Sequence, residues 1–292
     1  MRVAFLIPHF FGGNQPNSVH GSYRPDARAI RRSILDRVIF QIHSLFGPSY
    51  AALVKIQDAN RREIVQVPNP HRIDFDVYVF TTGGQHLLGE LECGSAHYRH
   101  VETDAEAPFL GFECARWIRE RLGSYDFYAY LEDDIIVRDP LFFAKVGRFN
   151  ETFEAGKNGL LLQPQRYEET LNSNNPADLA TACRVYIDYQ SRAAPAFAGP
   201  ELTFEFGGHP VRTAPALNPH AGCYTLNDEQ AARMAAHPDF LDRRKIYITP
   251  FDTAATAFID RALKIYKPAA PSISFLEVQH GHPGVVRLKF ES

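Results

Sequence analysis

The segment YAYLEDDIIVRDP, residues 128–140, is the most informative stretch of this sequence. Apolar residues stand on both sides of three consecutive acids, Glu132, Asp133 and Asp134, and Asp139-Pro140 ends the run. A short apolar run that stops at a turn signal predicts a buried strand. Adjacent carboxylates at the end of such a strand repel one another and lose hydration, so they need a cation or several hydrogen-bond donors nearby.

Carboxylate oxygens in such a cluster favour Mg²⁺ or Mn²⁺. These ions need only one or two protein carboxylates when the phosphates of a nucleotide complete the coordination shell. The simpler interpretation is an acidic turn that water solvates and that has no function. These residues alone leave both interpretations open. The choice between a metal site and an acidic turn depends on the predicted elements around them.

The composition is that of an ordinary globular protein. Of the 292 residues, 45% are hydrophobic and 22% are charged, the net charge is −3, and the length suits one large α/β domain or two small ones. No basic block or stripe points to nucleic acid. The four cysteines are widely spaced without a CxxC pair, and we find no leader-like segment and no apolar run of membrane-spanning length. We therefore expect a cytoplasmic protein, for which peripheral contact with the inner face of a membrane stays compatible.

The first half of the chain alternates strand and helix. Residues 2–8 form an apolar run, and a Gly/Pro/Asn-rich loop, residues 9–17, follows it. Ligands bind at the carboxyl ends of strands in open α/β sheets, so Pro8 and His9 are candidate contacts to a nucleotide. The two glycines of the loop either allow a ligand to approach the backbone or simply make a turn.

A long helix is predicted to begin at Pro25 and to expose its basic side to solvent; that side comprises Arg24, Arg28, Arg31, Arg32 and Arg37. Arg24 is the one candidate phosphate contact among them, because it lies next to the first loop. A second strand, residues 73–84, carries Asp76, which is either a contact to a ribose or base or only a strand-edge acid. A helix over residues 108–122 leads into the acidic strand. This alternation predicts a mostly parallel sheet with helices on its faces.

The second half is less regular. Residues 159–168 and 202–208 are predicted strands, and residues 172–178 form a turn-rich insertion that we expect to be mobile. Asn227 and Gln230 predict a capping box at the start of a helix. A further helix is predicted over residues 251–266, with Asp252 as its N-cap. No repeat or long linker divides the chain, so we expect a single domain.

Taken together, these features resemble the GT-A fold of nucleotide-sugar glycosyltransferases. The residues 128–140 have the form of the DxD-type motif of that fold, written here as Glu-Asp-Asp, and they follow an α/β half of the expected length. Residues 218–230, NPHAGCYTLNDEQ, resemble the segment that lines the acceptor side of the cleft. His280 resembles the C-terminal histidine that completes the metal site in many GT-A enzymes.

The resemblance implies an α/β, GT-A-like single domain with a mixed, mostly parallel central sheet flanked by helices. Residues of about 1–140 would bind the nucleotide sugar and residues of about 141–292 the acceptor. Asp134 would be the direct metal ligand, and Glu132 or Asp133 would contact the ribose or reach the metal through water. His280 would complete the site, with His282 as its competitor and an ordinary surface turn as the alternative. Carboxylates alone suit Mg²⁺, whereas an imidazole ligand favours Mn²⁺.

The implied reaction is transfer of a sugar from a nucleoside-diphosphate sugar to a hydroxyl of a glycan, lipid or small molecule. An inverting transfer needs a general base, whereas a retaining one does not. By analogy we favour Asp228 or Glu229, with Asp252 and Glu205 as other candidates. Two further residues, His220 and Tyr224, are candidates for the acceptor pocket.

Two other functions stay open. One is a metal-dependent nucleotidyltransferase or phosphohydrolase, although the absence of Lys and Arg from residues 9–17 counts against a nucleotidyltransferase. The other is a non-catalytic nucleotide- or carbohydrate-binding module of the same fold. No GxxxxGK[ST], GxSxG or HExxH motif supports a different chemistry.

Overall fold

The computed structural model describes residues 1–18, 20–58, 61–170, 183–190 and 194–282. The insertion at residues 172–178 that the sequence predicts to be mobile lies outside them. The strands are β1 Arg2–Pro8, β2 Ser49–Asp58, β3 Arg61–Pro68, β4 Asp74–Thr82, β5 Arg99–Thr103, β6 Phe127–Leu131, β7 Ile135–Val137, β8 Leu160–Leu162, β9 Gln165–Thr170, β10 Cys183–Tyr186, β11 Leu202–Phe206, β12 His209–Pro215, β13 Cys223–Asn227, β14 Lys264–Pro268 and β15 Glu277–His280. The α-helices are α1 Arg28–Phe46, α2 Leu110–Glu120, α3 Phe142–Thr152, α4 Ala155–Asn158, α5 Asp228–Ala235, α6 Pro250–Asp252 and α7 Phe258–Ala262.

The central sheet has the strand order β13-β6-β1-β4-β5. β1 pairs in parallel with both β4 and β6, β4 pairs in parallel with β5, and β13 adds an antiparallel edge to β6. Successive side chains of a strand point to opposite faces. Phe5 accordingly packs in one apolar core with α1, and Leu6 packs in a second core with α2. The predicted α/β class, with a mixed, mostly parallel sheet flanked by helices, is confirmed.

The acidic segment is a turn between two sheets. β6 lies in the central sheet, whereas β7 belongs to a second sheet with the order β10-β9-β15-β7. The N–H of Ile135 donates to the carbonyl of Glu132 across this turn at 3.0 Å. The three acids therefore stand where the chain leaves one sheet for another, at the carboxyl end of β6.

The second half differs from the prediction in two places. The apolar run at residues 159–168 is divided between β8, in a third sheet of order β11-β12-β14-β8, and β9, in the second sheet. The predicted helix over residues 251–266 is shorter: its N-cap is Thr249 rather than Asp252, and β14 begins at Lys264. The helix is also irregular, because a π-helical segment, Thr253–Ala257, joins α6 to α7.

Two other features bear on the expectations. The capping box of Asn227 and Gln230 is confirmed, since each side chain accepts the backbone N–H of the other residue. The hairpin of β2 and β3, which we did not predict, pairs only with itself and exposes apolar side chains such as Ile56 and Ile64. Within the described residues, none of the helices has the length and apolarity needed to cross a membrane. The division into a donor half and an acceptor half stays a prediction.

Candidate functional site

The parallel pairing of β1 with β6 brings the residues that follow these strands to one edge of the central sheet. His9 comes directly after β1, and its Nδ1 lies 2.6 Å from Oδ2 of Asp133. Nε2 of His9 accepts the backbone N–H of Leu87 at 3.1 Å, so Nδ1 carries the proton and donates it to the carboxylate. His9 is fully buried, and both of its ring nitrogens are engaged. The side chain of His9 therefore positions Asp133, and a nucleotide contact by this residue stays a prediction.

Arg31 of α1 is the main residue that the sequence analysis missed. We expected a solvated side chain, but its guanidinium is only 14% exposed and bridges two of the acids. NH1 donates to Oδ2 of Asp134 at 2.9 Å, and NH2 donates to Oδ1 of Asp133. Burial alone would lower the pKa of Arg31, but the two carboxylates outweigh it and raise the pKa. A signal was present, because Arg31 lies one helical turn before the buried Ile34 and two before Val38.

Asp133 is consequently a structural residue. One oxygen accepts from His9 and the other from Arg31, and the residue is only 8% exposed. The buried donors of β1 and α1 thus engage both oxygens of this carboxylate. A direct or water-mediated ligand contact by Asp133 stays a prediction.

The C-terminal histidine does lie next to the acidic turn. β15 pairs antiparallel with β7, which sets His280 opposite Ile135, and the N–H of Gly281 donates to the carbonyl of Asp134 at 2.7 Å. Nε2 of His280 is 3.5 Å from Oδ2 of Asp134. On its other side, Nδ1 of His280 lies 2.7 Å from Oε1 of the buried Glu168. Asp134, His280 and Glu168 thus form one chain of contacts.

The charges in this chain perturb one another. Burial would lower the pKa of His280, but Asp134 and Glu168 outweigh it and raise the pKa to about 9. Burial would raise the pKa of Asp134, but His280 and Arg31 hold it well below its usual range. The competing residue His282 lies beyond the end of β15, outside the pairing that fixes His280.

Glu132 is the most open of the three acids, with about 24% of its side chain exposed. Its N–H donates to the carbonyl of Gly222 at 2.9 Å, and NH1 of Arg166 is 4.0 Å from its Oε2. Burial, and then the charge of Asp134, raises the pKa of Glu132 to about 8, against the effect of Arg166. Gly222 has φ +66°, and a Cβ there would lie 2.7 Å from Oε2 of Glu132. Only glycine fits this position without displacing the acid.

The wall beside Glu132 is a network of buried polar groups. Arg166 uses Nε and NH2 to contact both oxygens of Asp188, at 2.5 and 3.2 Å. The side chain of Asn218 reaches the same carboxylate at 3.5 Å and accepts the backbone N–H of His220 at 2.9 Å. Residues 166, 188, 218 and 220, far apart in sequence, are therefore held together on the side of the acidic turn where Glu132 lies.

His220 is fixed from a second direction. Its Nδ1 lies 2.7 Å from Oγ1 of Thr256, which belongs to the π-helical segment, and its carbonyl accepts from Nζ of the buried Lys267 at 2.5 Å. Burial, and then the charge of Arg166, lowers the pKa of His220 to about 4, so its imidazole is neutral at neutral pH. π-Helical segments occur frequently at functional sites.

Asp252 lies on this side of the molecule. Its Oδ2 accepts the hydroxyl of Thr249 at 2.6 Å. The charge of Asp252 adds to the rise in the pKa of Glu132, for which burial is the main cause. The same charge opposes the fall in the pKa of His220. Asp252 therefore acts electrostatically on both Glu132 and His220.

Asp228 and Glu229 lie elsewhere. β13 runs antiparallel to β6, with Cys223 opposite Leu131 and Asn227 opposite Phe127. Residues 228–229 consequently follow β13 at the amino end of β6, about 20 Å from the acidic turn at roughly 3.3 Å per residue. Oδ1 of Asp228 accepts the N–H of Gly123 at that end. The structure therefore does not bring Asp228 and Glu229 to the acidic turn.

Asp76 and Tyr224 are two further candidate site residues, predicted to contact the nucleotide and the acceptor. Asp76 lies near the amino end of β4, where it binds Arg2 and Arg99 and accepts the hydroxyl of Tyr125. Tyr224 is buried and stacks on Tyr130 in the core, with ring centroids 5.0 Å apart. The structure thus places Asp76 at the opposite edge of the sheet and Tyr224 in the interior, and it brings neither side chain to the acidic turn.

Two more candidates from the sequence are Arg24, for a phosphate contact, and Glu205, for the general base. Arg24 makes a two-point ion pair with Asp26 beside the first loop. Glu205 is exposed on β11, in the third sheet. Pro8, in contrast, ends β1 opposite Phe80 of β4, at the same edge as the acids. A phosphate contact by Arg24 and a nucleotide contact by Pro8 stay predictions.

The fit of a divalent ion depends on Asp134 and His280. A metal-binding histidine usually donates its second ring N–H to a carboxylate, as His280 does to Glu168. The 3.5 Å between Nε2 and Oδ2 is longer than a good N–H···O hydrogen bond and suits two ligands of one ion. Within the described part of the chain, no group of three or more His, Cys, Asp or Glu side chains is arranged to hold a metal. Asp134 and His280 would suit a site with two protein ligands that phosphate oxygens complete.

Comparison with known proteins gives similarity in overall shape alone. No protein-family model and no curated protein matches the sequence. Mannose-1-phosphate geranyltransferase from Thermus thermophilus is 11% identical over 91% of this chain and 73% of that one, with a TM-score of 0.40. A Bacillus anthracis structure described as a candidate glucose-1-phosphate thymidylyltransferase is 9% identical over 94% and 93%, with a TM-score of 0.38. The galactosyltransferase LgtC, with donor and acceptor sugar analogs, is 10% identical over 91% and 73%, with a TM-score of 0.34. Similarity at this level does not identify a family for this chain.

Proposed function

We propose that the protein is a metal-dependent glycosyltransferase of the GT-A type, which moves a sugar from a nucleoside-diphosphate sugar to a hydroxyl-bearing acceptor. The observation that supports this proposal most is the meeting of Asp134 and His280 at the carboxyl end of β6, with Glu168 behind the histidine. An acidic turn without function would need neither a buried carboxylate that orients an imidazole nor an imidazole aimed at the turn.

The donor would bind at the edge where β1 and β6 end. Asp134 and His280 would hold Mn²⁺ or Mg²⁺, with Mn²⁺ favoured by the imidazole. A divalent ion bound there would neutralise the charge that develops on the leaving nucleoside diphosphate. Asp133 would keep the turn in place through His9 and Arg31, so that Asp134 faces the donor.

Glu132 has a different part in this proposal. It is the more exposed acid and lies between Gly222 and Arg166, on the side of His220. We assign it to the donor rather than to direct metal binding, as a hydrogen-bond acceptor for a sugar or ribose hydroxyl. Arg166, held by Asp188, limits the repulsion between Glu132 and Asp134.

For an inverting transfer, Asp252 is the general base. The hydroxyl of Thr249 orients its carboxylate, and its charge acts on both Glu132 and His220. The acceptor hydroxyl would bind between Asp252 and the neutral His220, and its proton would pass to Asp252 as the bond to the sugar forms. A retaining transfer would not need this step.

The experiment that tests the proposal is a thermal-shift screen of nucleotide sugars with and without Mn²⁺. A ligand that binds only the folded protein raises its melting temperature by mass action. We expect at least one nucleoside-diphosphate sugar to stabilise the wild type in the presence of Mn²⁺ and to lose that effect in Asp134→Ala. A binding module would keep the shift in Asp134→Ala, and the absence of any shift with every donor would overturn the proposal.

A further inference from the structure

Arg31 occupies the position of a cation in the acidic turn. It is a buried guanidinium on α1, and it donates to Asp133 and Asp134 at once. Asp133 keeps a second donor, His9, at 2.6 Å. Asp134 is held less firmly, since its Oδ2 is shared between Arg31 at 2.9 Å and His280 at 3.5 Å.

A divalent ion that Asp134 and His280 hold would lie close to the guanidinium. Two positive charges a few ångströms apart repel each other strongly at a site of low solvent exposure. The ion and Arg31 also require the same acceptor, Oδ2 of Asp134. Binding of the ion therefore weakens the contact between Arg31 and Asp134, and that contact opposes binding of the ion.

The guanidinium is not fully satisfied in its present position. Its Nε is buried and has no hydrogen-bond acceptor within the described residues. Arginine has a planar fork of donors that matches the oxygens of a phosphate. A diphosphate brought to the same edge would offer acceptors both to Nε and to the NH1 that leaves Asp134.

From this geometry we propose that Arg31 is a resident cation that holds Asp134 in the metal-free protein. It gives up Oδ2 when a divalent ion and a nucleoside diphosphate bind together. Its freed N–H groups then bind a phosphate oxygen, while NH2 keeps its contact with Asp133. Arg31 thereby makes the metal bind weakly alone and tightly with the nucleotide. The inference rests on the proposed metal-dependent function.

The test is a titration of the protein with Mn²⁺ alone, followed by the electron paramagnetic resonance signal of the free ion. We expect Arg31→Met to bind Mn²⁺ about tenfold more tightly than the wild type, because the competing charge is gone. The melting temperature of the metal-free variant should fall, since two buried carboxylates lose their counter-ion. A merely structural role for Arg31 would lower stability and weaken metal binding together.

Three variants make the test decisive. Arg31→Gln removes the charge but keeps a donor, and we expect it to bind Mn²⁺ as tightly as Arg31→Met. It replaces Arg31→Met in the test if that variant does not fold. Arg31→Lys retains the charge and should keep Mn²⁺ affinity near that of the wild type. Arg37→Met changes an exposed arginine of the same helix and should have no effect. Equal or weaker Mn²⁺ binding by both uncharged variants would overturn the inference alone. If neither the wild type nor any variant binds Mn²⁺, even with a nucleoside diphosphate present, both the inference about Arg31 and the proposed function would be overturned.

Discussion

Nε2 of His280 lies 3.5 Å from Oδ2 of Asp134. The pairing of β15 with β7 sets this distance, and the hydrogen bond from Gly281 to the carbonyl of Asp134 holds the two chain segments together. A histidine from the C-terminal part of the chain thereby lies next to the acidic turn at the end of β6. The consequences of this contact can be measured.

Gly281 should not tolerate a side chain. A Cβ there would lie 2.8 Å from Cγ2 of Ile34 and 3.1 Å from the carbonyl oxygen of Asp134, so β15 would have to move away from the turn. We expect Gly281→Ala to lower the free energy of unfolding by about 1–3 kcal/mol and to reduce Mn²⁺ affinity. Urea denaturation and Mn²⁺ titration measure the two effects. In the control Gly94→Ala the new Cβ meets nothing within 4 Å. If Gly281→Ala and Gly94→Ala have the same free energy of unfolding and the same Mn²⁺ affinity, Gly281 is not closely packed against Ile34 and Asp134.

Glu168 should act through His280. Glu168→Gln keeps a polar group beside Nδ1 but removes the charge that orients the imidazole and raises its basicity. Loss of such a partner typically weakens metal binding about 10–100-fold, and we expect an effect of that size on Mn²⁺ affinity by isothermal titration calorimetry. The neighbouring Glu169 is exposed and contacts Gln279 instead, so Glu169→Gln is the matched control. If both variants bind Mn²⁺ like the wild type, His280 is not a ligand.

Asp133 should matter for stability. Removing its carboxylate leaves the Nδ1–H of His9 and NH2 of Arg31 without their acceptor in a buried place, while NH1 of Arg31 keeps Asp134. Breaking a buried ion pair by removing one partner costs about 3–5 kcal/mol, and we expect a loss of that order in Asp133→Ala by chemical denaturation. The exposed pair of Arg24 and Asp26 provides the comparison, and Asp26→Ala should change the stability little. A similar small change in both variants would show that Asp133 is not a structural anchor.

The general base can be tested by comparing the two ends of the sheet. For an inverting enzyme, Asp252→Asn should lower kcat by about 10²–10⁴-fold with little change in donor affinity, because a positioned base contributes on that scale. Asp228→Asn should leave kcat nearly unchanged, since Asp228 lies at the amino end of β6. Steady-state kinetics with the donor found in the thermal-shift screen gives both numbers. A larger loss in Asp228→Asn than in Asp252→Asn would contradict the assignment of the site.

The sequence predicts β1, β4 and β6 of the central sheet, because their signals are local, but it does not predict β5. The apolar run of β1, the four-residue spacing on α2 and the capping box at Asn227 each follow from neighbouring residues. The pairing of the strands could not be predicted in this way, because it depends on contacts between segments that are distant in sequence. The antiparallel direction of β13 takes Asp228 away from the site.

The candidate site shows the same division. His280 and Asp134 could be named from their resemblance to a motif, but the distance between them depends on β15 pairing with β7. Arg31 was taken for a surface residue because a basic side of a helix is normally solvated. Its place on the buried stripe with Ile34 was visible, but the acids that compensate its charge lie on another element. Buried charge pairs of this kind are the hardest part of a site to find from sequence.

The central claim is that Asp134 and His280 hold one divalent ion together. Crystals of the protein grown with Mn²⁺ and a nucleoside diphosphate, with data collected at the manganese absorption edge, test this claim most directly. We predict an anomalous peak between Oδ2 of Asp134 and Nε2 of His280, about 2.1 Å from each, with phosphate oxygens on its open side. A nucleotide bound at the edge of β1 and β6 with no anomalous peak beside these two residues would contradict the account.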